Sequence, residues 1–246
     1  MQWFPGHMSK TLRELKEIKT DIYFLLLDSR APESTFIDSF NEIVNPQKTI
    51  IFLTKIDLVQ KNDAQKFIMK YKIFFLDVKM ISLKNSKIAK KEMISLLSKI
   101  KFKSLLPKII ILGSPNVGKS TMLNILGEKK KANVENRPGV TKNNYWYQFE
   151  KKYWILDTPG VLQPKFISEK QGVNLSSIGS IKLDILPLEK VALGLVDRLK
   201  ELNVLDINDS EKYIENFPNF EKHPNEVYKK IIKDFQNLKY GKIILD

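Results

Sequence analysis

The chain has 246 residues and a formal net charge of +13, from 41 basic and 28 acidic side chains. It contains no cysteine, which excludes a disulfide framework and a thiolate metal centre and suits a reducing compartment. Its 43% hydrophobic and 28% charged residues are those of a globular protein, and the length allows one α/β domain of ordinary size plus a smaller one.

In chain order, Met1–His7 lacks the basic-then-apolar pattern of a signal peptide. Met8–Lys19 reads as a short helix with Leu12, Leu15 and Ile18 on one face. Asp21–Leu27 is a continuous apolar run, as in a strand buried on both faces, and is far too short to span a membrane. Ile50–Leu53 is a second such strand; Ile73–Leu76 and the pair Met80-Ile81 suggest more. Lys108–Leu112 is a strand that ends at a glycine-rich loop, and Thr121–Leu126 continues as a helix. Tyr145–Phe149 and Tyr153–Leu156 read as a hairpin turning at Glu150-Lys151-Lys152. After Pro164 the strand signals fade. Val191, Leu195 and Leu199, and then Val227, Ile231, Phe235 and Leu238, recur at helical spacing. The expected fold is a mostly parallel, doubly wound α/β sheet over residues 1–170, followed by a small all-α domain over 171–246.

The charge is uneven. Residues 165–246 hold 13 basic and 13 acidic side chains, so residues 1–164 carry the whole excess; within 61–108 there are 13 basic residues against three acidic ones. Any single lysine is ordinarily a solvated surface residue, but the regional excess points to a polyanion, with RNA favoured. Neither DNA nor a membrane is expected as a partner.

Gly113-Ser114-Pro115-Asn116-Val117-Gly118-Lys119-Ser120 has the form G-x-x-x-x-G-K-[ST] between an apolar strand and a helix. In such a P-loop the glycines let backbone N–H groups wrap phosphates, the lysine reaches the β- and γ-phosphates and the serine hydroxyl ligates Mg²⁺. Val117 and Thr121 complete the expected phosphate cradle. Asp157-Thr158-Pro159-Gly160 lies 37 residues beyond Ser120, where a strand-end carboxylate reaches Mg²⁺ and the Gly160 amide senses a γ-phosphate. Thr141, between the two, is a candidate Mg²⁺ ligand on a closing loop. Thr54-Lys55-Ile56-Asp57 is similar to the guanine motif N-K-x-D. A carboxylate at Asp57 accepts from guanine N1–H and the exocyclic amine, donors that adenine lacks, while the Lys55 stem covers the base. Thr54 replaces the usual asparagine, which predicts weaker nucleotide affinity. Ser82-Leu83-Lys84 fits the loop whose backbone N–H meets guanine O6, or an ordinary strand end.

Most GTPases place the P-loop first and the guanine motifs last. In this chain the order is reversed, a circular permutation that keeps one sheet if the former termini were adjacent. Val161 and Leu162 stand where many GTPases carry a water-orienting glutamine. The chain has two histidines, His7 and His223, and His7 is equally readable as a helix-start residue.

The opening Trp3-Phe4-Pro5-Gly6-His7-Met8, the segment Asp28-Ser29-Arg30-Ala31-Pro32, Pro138-Gly139-Val140-Thr141 and Asp157–Val161 with Pro164-Lys165-Phe166, in this permuted order, resemble the ribosome biogenesis GTPase A family. The resemblance runs to Tyr240-Gly241-Lys242. It implies a cytoplasmic GTPase that binds the large ribosomal subunit late in assembly, a helical domain on ribosomal RNA, and hydrolysis stimulated by the subunit; a monomer is expected. It also implies His7 as the catalytic group and allows a potassium ion beside Asn116. The C-terminal domain has no net positive charge, which argues against strong RNA binding by that domain alone, although Lys229, Lys230 and Lys233 cluster there. Two other readings stay open at this point: an RNA chaperone that uses GTP only as a conformational ligand, and a regulatory switch for a protein partner.

Overall fold

The computed structural model describes residues 15–127, 146–158 and 166–246. Six strands form one sheet in the order β3-β2-β1-β4-β6-β5: β1 Ile22–Asp28, β2 Thr49–Thr54, β3 Asp77–Met80, β4 Lys108–Gly113, β5 Trp146–Phe149 and β6 Tyr153–Asp157. All neighbours are parallel except β5 and β6, which pair as a hairpin through Glu150 and Lys151, both at positive φ. Every residue of β1 and β2 is buried, because alternate side chains enter two separate cores.

Eight helices are described: α1 Pro32–Thr35, α2 Lys61–Lys72, α3 Ser86–Ser98, α4 Lys119–Leu126, α5 Glu169–Ser177, α6 Leu188–Glu201, α7 Ser210–Glu215 and α8 Pro224–Gln236. On one sheet face Leu25, Leu27 and Ile51 meet Ala64, Phe67 and Tyr71 of α2. On the other, Phe24, Leu26 and Phe52 meet Ala89, Met93 and Leu97 of α3, spaced four apart, and Met122 and Leu126 of α4. Asn85 starts α3 by accepting from the Ile88 N–H at 3.2 Å. A third core joins Val191, Leu195 and Leu199 of α6 to Val227, Ile231 and Phe235 of α8.

Ile73–Leu76 is not a strand. Only Phe75 turns inward, joining Phe36 and Tyr71 at ring-centroid distances of 5.9 and 6.3 Å, while Ile73, Phe74 and Leu76 are exposed and β3 starts at Asp77. Leu238 lies beyond α8, at positive φ. The N-terminal helix read over Met8–Lys19 is described only at residues 15–17, which are helical; Tyr145 also lies outside the described residues. Among the described residues no helix is long and apolar enough to cross a membrane.

Candidate functional site

Parallel strands present all their carboxyl ends on one side. The loops after β1, β2 and β4 therefore meet there, where β6 ends beside β4 with Asp157 level with Ile111. The P-loop leaves β4 at Gly113, whose added Cβ would lie 2.6 Å from the Leu26 carbonyl oxygen. It enters α4 at Gly118, at φ +109, where L side chains are strained. Lys119 is buried, and its ammonium donates to the Gly113 and Ser114 carbonyls at 2.9 and 2.7 Å across the loop. Val117 is buried beneath, whereas Asn116, Ser120 and Thr121 are exposed.

The guanine motif reaches this loop by two routes. Thr54 is fully buried, and its hydroxyl donates to the Val117 carbonyl at 2.7 Å and the Leu27 carbonyl at 3.0 Å. Its side chain thus ties β2 to the P-loop. Leu83 approaches Gly118, with Cδ1 3.0 Å from where a Cβ would stand. Asp57 accepts from the Ser82 hydroxyl at 2.8 Å, and Lys84 Nζ lies 2.7 Å from its other oxygen. Burial alone would push the Asp57 carboxyl up; the bonds from Lys84 and Ser82 outweigh it and hold the group below its usual range. Asp57 is therefore held as a carboxylate, a group able to accept two hydrogen bonds.

Sequence reasoning missed the anchor of this assembly. Asp28, at the end of β1, is buried and accepts from Arg30 Nε at 3.0 Å and Nη2 at 2.7 Å, with Lys55 Nζ 2.8 Å from the same carboxylate. Burial alone would raise the Asp28 carboxyl; Arg30 and then Lys55 outweigh it and hold it low. Lys55, itself at φ 54, is thereby fixed in position. Arg30 also donates to the Ile178 carbonyl at 2.7 Å, just beyond α5. Asn116 Nδ2 donates to the Gly179 carbonyl at 2.8 Å, and the Ser180 hydroxyl donates to the Pro115 carbonyl at 2.8 Å. Two residues of the helical region, Gly179 and Ser180, thus hold the P-loop, and a third, Ile178, is joined through Arg30 and Asp28 to Lys55. The signal in the sequence was an aspartate and an arginine two apart at the end of an otherwise apolar run.

Thr54 and Leu83 meet the P-loop at Val117 and Gly118, Ser82 bonds to Asp57, and Lys55 is held on Asp28. His7, Thr141 and Gly160 lie outside the described residues, as does the Asp157 side chain. Among the described residues no cluster of three or more His, Cys, Asp or Glu forms a metal cage. The exposed Ser120 hydroxyl at the P-loop is a hard oxygen donor that fits Mg²⁺ held together with nucleotide phosphates. Replacing Thr54 by valine keeps the shape and removes the donor, leaving two buried carbonyls short of a partner. We expect GDP binding to weaken about tenfold, the value of one neutral hydrogen bond, in a fluorescent-nucleotide titration. Unchanged affinity would show that the tether does not set the loop.

A P-loop and a guanine-type motif joined at the carboxyl ends of one sheet, in permuted order, define a circularly permuted P-loop GTPase. A family model described as 50S ribosome-binding GTPase matches residues 108–230, and an RsgA GTPase model matches residues 39–167. The chain is 37% identical over 209 residues to ribosome biogenesis GTPase A of Bacillus pumilus, covering 78% of this chain and 73% of that one. It is 30% identical over 223 residues to the Thermotoga maritima protein of the same name, covering 89% and 80%. GNP-bound YlqF from T. maritima superposes with a TM-score of 0.75 over 98% of both chains, at 21% identity. The chain belongs to the ribosome biogenesis GTPase A family.

Proposed function

We propose that this GTPase is an assembly factor for the large ribosomal subunit, acting late in maturation and hydrolysing GTP when the subunit stimulates it. The observation that carries the reading is the docking of Gly179 and Ser180 on the P-loop, with Ile178 linked through Arg30 and Asp28 to Lys55, because a change at the phosphates then moves the helical region against its partner. The names of its relatives supply the ribosome as that partner. In this reading residues 1–170 are the catalytic domain and 171–246 the part that contacts ribosomal RNA. The protein works as a cytoplasmic monomer.

Asp57 and Lys55 select guanine, Ser82 and Leu83 close over its O6 edge, and Thr54 acts through Val117. The P-loop amides with Asn116, Gly118, Lys119 and Thr121 hold the phosphates, and Gly160 senses the γ-phosphate. Ser120, Thr141 and Asp157 would hold Mg²⁺, which when bound neutralises charge developing on the phosphates. Asn116 keeps its amide oxygen for a potassium ion, since its nitrogen is committed to Gly179.

The resemblance to the family assigns His7 to orient the attacking water, where Val161 and Leu162 stand in place of the usual glutamine. In turnover assays with large subunits, His7→Ala is expected to slow hydrolysis about 100-fold or more with GTP affinity unchanged. Full subunit-stimulated turnover in that variant would remove the role.

A further inference from the structure

A groove of about 1310 Å³ runs from the starts of β1 and β2 along β3 to Ile81, against the second half of α3 and the segment after it. Its floor is apolar, with Leu96, Ile100 and Phe102 partly exposed over the buried Phe52. Six exposed lysines line it: Lys48, Lys79, Lys91, Lys99, Lys101 and Lys103. Three carboxylates oppose them. Asp21 is occupied by the Lys108 backbone N–H at 2.9 Å and Asp77 is paired with Lys79 at 2.8 Å, which leaves Glu92. Lys91, Lys99, Lys101 and Lys103 make no ion pair with any described residue. Four lysines without an ion pair to any described residue thus stand together beside apolar surface, a concentration of positive charge that favours a polyanion.

We propose that this groove binds single-stranded RNA, with phosphates on the lysine rim and unstacked bases against the floor. It rests on the ribosomal reading only for where that RNA comes from. Charge complementarity selects a polyanion, and the floor selects the single strand, because a duplex presents phosphates and sugars and would leave apolar surface against water. One end of the groove, at Met80 and Ile81, adjoins Ser82 of the guanine loop. The groove places RNA contact on the α/β region, which carries the charge excess that the helical region lacks.

The test uses the full chain and a fluorescein-labelled uridine 12-mer, with anisotropy read at several salt concentrations. The variant Lys91→Gln/Lys99→Gln/Lys101→Gln/Lys103→Gln is expected to bind at least tenfold more weakly. Its slope of log affinity against log salt should be shallower by about 3, as four lost phosphate contacts require. Phe102→Leu should weaken binding about fivefold with the slope unchanged, as loss of stacking does. A charge-matched variant on the helix of the other sheet face, Lys61→Gln/Lys66→Gln/Lys70→Gln/Lys72→Gln, should bind nearly as the parent does. Equal losses in the two quadruple variants, no binding by the parent chain, or equal lysine-dependent binding of polyglutamate would each overturn the proposal. Co-sedimentation of the parent chain with large subunits separates the two readings. Pelleting by the parent, with oligomer binding indifferent to the groove lysines, sinks the groove alone; lysine-dependent oligomer binding without pelleting sinks the ribosomal reading alone.

Discussion

Asp57→Asn is expected to lower GTP affinity by about 10³-fold or more and to transfer part of the lost binding to xanthosine triphosphate. The two Asp57 oxygens now accept from Ser82 and Lys84 at 2.8 and 2.7 Å, and guanine offers two donors, N1–H and the exocyclic amine, in their place. An amide keeps one acceptor but turns an N–H toward the exocyclic amine, so two donors face each other in a desolvated site. Sites built on such pairs reject mismatched partners by factors of about 10⁴ or more. Xanthine carries a carbonyl where guanine has the amine, and that carbonyl accepts from the new amide. ATP serves as the control, since it satisfies neither form. Unchanged GTP preference in the variant would remove Asp57 from base recognition.

Arg30→Met is expected to destabilise the fold by about 3 kcal/mol at neutral pH, read as a lower urea midpoint with an unchanged slope. The substitution strands Asp28, whose side chain is 2% exposed, and frees the Ile178 carbonyl. Breaking a buried ion pair costs about 3–5 kcal/mol, and the lower figure applies because Lys55 stays 2.8 Å from the carboxylate. The pH dependence fixes the mechanism. Arg30 and Lys55 hold the folded Asp28 pKa below its unfolded value, so the stabilisation is complete above about 3.9 and fades as pH falls through the folded pKa. The gap between parent and variant should therefore narrow in acid. A pH-independent gap would mean that arginine packing, not charge, is what the variant loses. Because Arg30 also joins Lys55 to the turn at Ile178, the same variant should loosen GDP.

Much of this was legible before any coordinates. Four apolar runs became β1, β2, β4 and β6 because strands buried on both faces cannot afford interspersed polar residues. The nucleotide motifs were readable because their chemistry fixes residue type and spacing together. Ile73–Leu76 misled for a local reason: four apolar residues in a row look like a strand, yet only Phe75 has a core to enter. Helix α5 was hidden because it is buried along polar residues, Gln171, Asn174, Ser176 and Ser177, which no apolar period reports. Gln171 and Asn174 bond to Ser34, near the end of β1, a contact between residues more than 130 apart. The Asp28–Arg30–Lys55 cluster was hidden likewise. Its residues were visible, but their meeting depends on β1 and β2 ending side by side.

The decisive measurement is the initial rate of GTP turnover by the full chain, alone and with purified large or small ribosomal subunits at one fixed salt concentration. The large subunit should raise the rate strongly and the small one should leave it unchanged. Equal rates in all three mixtures, with GTP still bound, would contradict the ribosomal reading.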